Sequence, residues 1–241
     1  MGYQPIDMVI LTYNRQRYCA AMLEAVRQYT DYPHRIIVVD NGSDAEMQSF
    51  LRTAEQNGHI TRLVLNENNE FMHGWRHGIR LVESPFFALS DPDIVVPALK
   101  PCWLTRMVQC FEQFPELARL GTALSIENIP PCWDAYQARF LALQTGKVFC
   151  RKPLLRLCTP DTTLQLIRTE SFRLCGGFEA DCIDFKWLKQ LRGYGICVVH
   201  NEVVSVHLGW NEYRDYPDYL REKNRSIKPY REVSLIEGYS E

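Results

Sequence analysis

Short apolar runs alternate with helical patterns along the first half of the chain, and this alternation restricts its fold more than any other feature. The runs that predict strands lie at residues 8–11, 35–40, 61–65 and 86–90. The segments that predict helices lie at residues 17–29, 43–58 and 74–82. Strands that are apolar on both faces are typical of parallel sheets covered by helices, so the pattern predicts an α/β fold with a doubly wound, mostly parallel sheet.

Polar segments follow three of the predicted strands. They are residues 12–14, 40–42 and 91–93, with the sequences Thr-Tyr-Asn, Asp-Asn-Gly and Asp-Pro-Asp. In open α/β sheets, ligands bind outside the carboxyl ends of the strands. We therefore expect these three segments to meet at one edge of the sheet and to form a ligand site.

The acidic triplet at residues 91–93 is the segment with the most specific chemistry. Asp91 and Asp93 close a buried strand, where ionised carboxylates are costly unless they are paired. A hard divalent cation that also carries a diphosphate would explain both acids. An Asp-Pro turn at the end of a strand is the alternative that the triplet alone leaves open.

Composition narrows the class of protein. The chain has 241 residues, 46% of them hydrophobic, and a net charge of −2, which favours one large domain and gives no overall attraction to nucleic acid. No apolar stretch reaches the roughly 18 residues that span a bilayer, and the N-terminus lacks the features of a secretory signal. The nine cysteines are scattered without a C-x-x-C pair, which is typical of reduced thiols in a cytoplasmic protein.

The second half has a less regular pattern. It predicts helices at residues 103–114 and 184–192 and strands at residues 163–168 and 196–200. No linker separates the two halves, so we expect residues 1–100 and 101–209 to belong to the same domain. Residues 210–241, rich in Tyr, Arg and Glu, are expected to form a C-terminal arm.

Five segments carry a resemblance to a known family. They lie at residues 9–15, 38–44, 68–78, 90–93 and 175–179. In this order and with these separations, the chain resembles the family 2 glycosyltransferases, which have the GT-A fold and invert the configuration of the transferred sugar. The resemblance covers roughly residues 6–207. It implies a nucleotide-sugar half at residues 1–100 and an acceptor half at residues 101–209, with a smaller mixed region on the acceptor side of the sheet.

The resemblance implies a nucleotide pocket at the ends of the first two strands. Thr12, Tyr13 and Arg15 would line the pocket for the base and ribose. Asp40 would accept a hydrogen bond from the base, with uracil as the first expectation. Since Ser43 fits the N-cap of the next helix, we expect Asp40 to need such a donor.

Residues 68–78 depart from the family pattern. Asn68 keeps the expected asparagine and is assigned to the nucleotide site. Glu70 stands where a glycine is usual, and Arg76 stands where a second asparagine is common. Arg76 either reaches a phosphate of the nucleotide or forms an ion pair with Glu70, and the sequence does not decide between these.

The acidic triplet resembles the metal motif of the family. Asp93 would bind Mn²⁺ or Mg²⁺ directly, and Asp91 would hold the ribose or a water on the metal. The cation would stabilise the negative charge that develops on the leaving phosphate. His207 resembles the histidine that often completes the metal site, and His200 is the rival candidate.

The acceptor hydroxyl needs a base that removes its proton during attack on the sugar. The family places this base at the head of a helix after a Gly-Gly-Phe turn, where Asp184 and Asp181 are the candidates. Asp184 is preferred because, counted back from the end of the helix, it matches the aspartate of the family's Glu-Asp pair, although Ile183 replaces the usual Glu. The alternative is that Asp184 is a solvent-facing acid at a helix N-terminus. Trp210 is the candidate for stacking on an acceptor sugar.

The sequence thus predicts a metal-dependent inverting glycosyltransferase. It would move a sugar from a nucleoside diphosphate donor, with UDP first, to a hydroxyl of a glycan or lipid-linked glycan. A catalytically inactive binding module and a nucleotidyltransferase are the alternatives, and motifs for dinucleotide oxidoreductases and P-loop NTPases are absent. We expect a cytoplasmic protein, with peripheral contact at the inner membrane face left open; the oligomeric state is not predicted.

Overall fold

Ten strands in one sheet form the centre of the computed structural model, which describes residues 4–129, 141, 145–157, 163–177 and 190–211. The sheet has the order β3-β2-β1-β4-β9-β6-β10-β8-β7, and β5 pairs with β10 outside this path. In chain order the strands are β1 (Ile6–Thr12), β2 (His34–Asp40), β3 (Arg62–Leu65), β4 (Phe86–Ser90), β5 (Ile94–Val95), β6 (Leu117–Leu124), β7 (Val148–Arg151), β8 (Leu154–Leu157), β9 (Leu164–Arg168) and β10 (Ile196–His207).

The sheet combines a parallel part with a mixed part. Strands β3, β2, β1 and β4 are parallel neighbours. Strand β9 is antiparallel to both β4 and β6, while β6 and β10 are parallel. The β7–β8 hairpin pairs antiparallel with β10 and closes the far side of the sheet. This arrangement confirms the predicted doubly wound α/β sheet, with a mixed region beside the parallel strands.

Helices cover both faces of the sheet. The described helices are α1 (Gln16–Tyr29), α2 (Ala45–Gln56), α3 (Trp75–Ile79), α4 (Trp103–Gln113) and α5 (Thr169–Leu174), with 3₁₀ turns at Phe71–Gly74 and Leu191–Gly193. Helices α1, α2 and α4 share one hydrophobic core, and α3 and α5 share the other. Strand β1 contributes side chains to both cores, because Met8 and Ile10 face the first core and Val9 faces the second. None of the described helices is long and apolar enough to cross a membrane.

Three local predictions need correction. Asp44, rather than Ser43, caps α2, since its side chain accepts a hydrogen bond from the Met47 N–H. The helix predicted at residues 74–82 is a 3₁₀ turn followed by the short helix α3, which ends at Ile79. Strand β10 does not end at His200 but continues, after a shift in register, to His207. Most of the helix predicted at residues 184–192 lies outside the described residues.

Candidate active site

Two acids and a histidine come together at the carboxyl edge of the sheet. Asp91 and Asp93 follow β4, and His207 ends β10. One ligand atom from each of the three side chains lies within 4.8 Å of the other two. Residues far apart in the sequence therefore form one cluster with the chemistry of a metal site.

The pairing of β5 with β10 brings His207 to the acids. His207 is the register partner of Ile94, directly after Asp93, and the two strands are antiparallel. The Leu208 N–H then donates to the Asp93 carbonyl oxygen over 2.8 Å. Backbone hydrogen bonds on both sides of the cluster thus hold it in place before any ligand binds.

The side chains of the cluster fit a divalent cation. Carboxylate oxygens suit Mg²⁺ and Mn²⁺, and the imidazole favours Mn²⁺ of the two. The Asp93 side chain is only 2% exposed, and its Oδ2 accepts a hydrogen bond from Arg15 Nη1 over 3.0 Å. His207 Nε2 lies 3.7 Å from Asp93 Oδ1. A cation bound here would face two carboxylates in a partly desolvated position.

His207 is held from two further directions. Its ring stacks on Trp210, with 4.9 Å between the ring centroids, and its carbonyl oxygen accepts a hydrogen bond from Asn128 Nδ2 over 2.7 Å. Trp210 is itself only 3% exposed. Its ring therefore packs against His207, and the stacking of Trp210 on an acceptor sugar stays a prediction. The rival histidine, His200, lies within the paired part of β10 and outside the three-residue cluster.

Burial determines the protonation state of His200. The side chain is buried, and this burial, together with the positive charge of Arg106, lowers its pKa to about 4. Its Nδ1 accepts a hydrogen bond from the Glu202 N–H over 3.3 Å. His200 is therefore a neutral histidine of the sheet at neutral pH.

The turn after β1 has a strained backbone. Asn14 and Arg15 have φ angles of 52° and 56°, in the left-handed region that residues other than glycine rarely adopt. Hydrogen bonds to the start of α2 hold the turn: the Asn14 N–H donates to Ser43 Oγ over 2.7 Å, and Asn14 Oδ1 accepts from the Asp44 N–H over 2.9 Å. The turn buries Thr12, exposes Tyr13 and directs Arg15 towards Asp93.

Asp40 is not the unpaired acid that the sequence suggested. Its side chain is buried, Oδ2 accepts from the Ser43 N–H over 3.1 Å, and Oδ1 accepts from the Ser43 hydroxyl. Burial raises the pKa of Asp40, although the hydrogen bonds from Ser43 act in the opposite direction. Ser43 is available for this contact because Asp44 takes the helix cap.

Asn41 organises the same edge, a role that was not predicted from the sequence. Its N–H donates to the Thr12 carbonyl oxygen, and its Oδ1 accepts from Asn66 Nδ2 and from the Glu70 N–H. Its Nδ2 donates to Asn69 Oδ1 and to the Phe71 carbonyl oxygen. One buried amide therefore joins β1, β2 and the loop before α3. The Asn-Gly pair after a strand was the available signal, because it marks a tight turn.

The loop at residues 66–70 packs closely on Gly42 and carries an ion-pair cluster. A Cβ at Gly42 would lie 2.9 Å from the Asn68 Cα, so only glycine allows this approach of the exposed Asn68. Glu70 Oε2 contacts both Arg76 Nη2 and His77 Nε2, each over 3.0 Å. The contact with His77 lowers the pKa of Glu70, with smaller contributions from Arg76. Of the two alternatives for Arg76, the structure has the ion pair.

The two candidate bases, Asp181 and Asp184, lie outside the described residues. The turn that precedes them is described as far as Gly177. A Cβ at Gly177 would lie within 2.6 Å of three atoms of the Phe172 ring, so this glycine is required for the packing of α5.

Comparisons with known proteins identify relatives of this chain. A family model described as glycosyl transferase family 2 matches residues 7–168. A hyaluronan synthase of Pasteurella multocida is 28% identical over 126 residues, which are 51% of this chain and 13% of that protein. An uncharacterized glycosyltransferase of Haemophilus influenzae is 22% identical over 122 residues, which are 50% of this chain and 37% of that protein.

A solved structure has the same fold. The mannosyltransferase PcManGT of Pyrobaculum calidifontis, in complex with GDP-Man and Mn²⁺, matches with a TM-score of 0.60 and 17% identity. The match covers 92% of this chain and 64% of that one. The chain thus spans less than two thirds of each of these relatives, and the structural likeness confirms the predicted GT-A-type α/β fold.

Proposed function

Since the chain belongs to glycosyl transferase family 2, we propose that it is a metal-dependent inverting glycosyltransferase. It moves a sugar from a nucleoside diphosphate donor to a hydroxyl group of a glycan or lipid-linked glycan. The observation that carries the proposal is the cluster of Asp91, Asp93 and His207 beside Arg15, at the edge where α/β sheets bind ligands. Family membership argues against the nucleotidyltransferase alternative.

The cluster would hold Mn²⁺ or Mg²⁺ through Asp93 and His207, with Asp91 on the ribose or on a metal-bound water. When bound, such a cation neutralises negative charge on the diphosphate as the bond to the sugar breaks. Asp93 contributes a buried carboxylate whose position is set by Arg15 and by the Leu208 N–H on its own carbonyl oxygen. Because these partners are already in place, little reorganisation is needed when the donor binds.

The donor nucleotide would lie along the turns that follow β1 and β2. Thr12, Tyr13 and Arg15 remain the proposed contacts, with the exposed Tyr13 ring offering a face for the base. UDP is the proposed nucleotide, and GDP is its main competitor because the PcManGT structure holds GDP-Man. Asp40 would support binding of the nucleobase indirectly. Its buried carboxylate accepts a hydrogen bond from the Ser43 N–H and so holds the turn after β2.

Asp184 is the proposed general base of the reaction, with Asp181 as the alternative. The carboxylate would accept the proton of the acceptor hydroxyl while that oxygen attacks the sugar from the face opposite the diphosphate. Inversion follows from this geometry, because the new bond forms on the side opposite the one that breaks.

A transfer assay tests the proposal and the choice of base. UDP-sugars and GDP-sugars are incubated with the protein and Mn²⁺, with added oligosaccharides or water as the acceptor of the sugar, and release of the nucleoside diphosphate is measured. We expect Asp184→Asn to lower kcat by about 10² to 10⁴-fold, as expected for loss of a general base. Asp181→Asn is the matched control and should change kcat only a few-fold. Full activity in both variants would refute the assignment of the base, and no turnover of any donor would favour the inactive binding module.

A further inference from the structure

The β7–β8 hairpin carries a concentration of positive charge that the proposed reaction does not use. Residues 145–157 contain four cations and no acid, in a chain whose net charge is −2. Three of the cations, Lys147, Arg151 and Lys152, are exposed, and Arg156 is partly buried. The hairpin is therefore a local basic surface on a slightly acidic protein.

Among the described residues, the exposed cations of the hairpin form no ion pairs. Within the described part of the chain, no carboxylate lies within salt-bridge distance of Lys147, Arg151 or Lys152. Arg156 donates from Nη1 to the Gly146 carbonyl oxygen over 2.9 Å and so fixes the base of the hairpin. Arg151 and Lys152 are thus exposed, and their charged groups have no hydrogen-bond partner among the described residues.

The topology places the tip of this hairpin at the same edge of the sheet as the metal cluster. Strand β8 runs antiparallel to β10, with Leu155 opposite His200, so the chain turns between Arg151 and Leu154 at the carboxyl edge. One row of residues, each a register partner of the next or one residue from such a partner, crosses the sheet from β4 to β8. Its members are Ser90, Leu164, Thr122, His200 and Leu155. Asp91 and the Arg151–Leu154 pair each lie one residue beyond this row.

The hairpin tip and the cluster are separated by a few strands. Four inter-strand spacings separate β4 from β8 in the sheet order, which corresponds to roughly 20 Å between Asp91 and the hairpin tip. The tip also lies in the second half of the sheet, which we assigned to the acceptor. A molecule that reaches from the cluster to Arg151 must therefore be an extended chain of several units.

We propose that Arg151 and Lys152 form a subsite for an acidic acceptor chain, one that carries phosphate or carboxylate groups along its length. The inference rests on the proposed function, because it takes the cluster as the site of sugar transfer. Arg151 can bind either anion through two parallel hydrogen bonds, and Lys152 adds a point charge next to it. An acceptor held at this distance would keep its growing end near the cluster while its acidic units lie on the hairpin.

Direct binding of soluble polyanions tests the subsite without an identified acceptor. The probes are a fluorescent polyphosphate oligomer and a fluorescent oligogalacturonate, with neutral dextran as the uncharged control, and anisotropy is measured at several salt concentrations. We expect the wild type to bind at least one acidic oligomer and not dextran. The anion that binds more tightly identifies the group that the acceptor carries.

The deciding variant is the double substitution Arg151→Ala with Lys152→Ala. We expect at least about a tenfold loss of affinity for the acidic oligomer, since two charge-assisted contacts are lost, and a weaker dependence on salt. The matched control is Arg52→Ala with Arg62→Ala, which removes two exposed cations near the opposite end of the sheet. The control should bind like the wild type.

Three results would overturn the subsite. The first is no binding of either oligomer, which would leave the cations only a role in keeping an edge strand from pairing. The second is an equal loss in the control variant, which would indicate unspecific attraction. The third is hairpin-dependent binding to vesicles of phosphatidylcholine and phosphatidylserine without binding to the oligomers, which would indicate a membrane surface. Nucleotide titration of the same samples reports the donor site separately, so failure of the proposed function is recognised independently.

Discussion

Gly209 has no room for a side chain, and the reason lies in the metal cluster. A Cβ at this position would lie 2.4 Å from Asp93 Oδ2 and 2.9 Å from His207 Cε1. It would also lie 3.3 Å from Arg15 Nη1. The backbone of Gly209 therefore forms one wall of the cluster, and any larger residue must displace an acid or the histidine.

We expect Gly209→Ala to weaken Mn²⁺ binding by about tenfold or more, because the methyl group forces Asp93 and His207 apart at an overpacking cost of about 1–3 kcal/mol. Electron paramagnetic resonance of free Mn²⁺ measures the affinity. Gly193→Ala is the matched control, since a Cβ there would meet nothing within 4 Å. Equal affinity in the wild type and Gly209→Ala would place the metal elsewhere.

The sequence predicted the cluster residues but not how they are held. Asp91 and Asp93 were identifiable because acids at the end of a buried strand need a charged partner. His207 was preferred to His200 through the family resemblance, while the pairing between distant strands that brings it to the acids is not contained in a single sequence. The sequence predicted Ser43 as the N-cap of α2, but Asp44 has that position. Both residue types are good N-caps, and only tertiary contacts decide between them.

At the scale of elements, the apolar runs predicted β1 to β4 well. Strands β1, β2 and β4 are largely buried, and the edge strand β3 is partly buried. The second half was harder to predict. Strand β9 is antiparallel, and β10 shifts its register on β6 between His200 and Val204 before it reaches β5. That shift gives His207 its position, and the pattern of apolar residues along β10 does not encode it.

The amino end of β1 is held by a buried acid that is far from the active site in the sheet. Asp7 accepts hydrogen bonds from Arg35 through both carboxylate oxygens, over 2.7 and 2.9 Å. The N–H groups of Glu83 and Ser84 also donate to Asp7 Oδ2. Burial acts to raise the pKa of Asp7, but these hydrogen bonds outweigh it and lower the pKa below its usual value.

We expect Asp7→Asn to lower the free energy of unfolding by about 2 kcal/mol at pH 7, from lost charge-assisted hydrogen bonds. Since the pKa of Asp7 is lowered on folding, its stabilisation is present above the unfolded pKa and is lost as pH falls through the folded pKa. The difference between the proteins should therefore shrink in acid. Urea unfolding from pH 7 downwards measures it, with the exposed Asp31→Asn as control; a pH-independent difference would contradict the assignment to charge.

At the scale of the whole molecule, a single sheet carries both predicted halves of the enzyme. The parallel strands β1, β2 and β4 bring three polar segments to one edge, and β10 returns from the second half to complete the cluster there. The sequence predicted the convergence of the first three because parallel strands share an edge. It could not predict the β7–β8 hairpin, whose position follows only from pairing with β10.

The central claim is that this edge binds a nucleoside diphosphate through a cation held by Asp93. Calorimetric titration of UDP, GDP, dTDP and CDP, with and without Mn²⁺, tests it most directly in the wild type, Asp93→Ala and the exposed control Asp31→Ala. We predict that one nucleotide binds only with Mn²⁺, that Asp93→Ala abolishes this binding and that Asp31→Ala retains it. Absence of binding for all four nucleotides in folded protein, or equal binding by Asp93→Ala, would contradict the account.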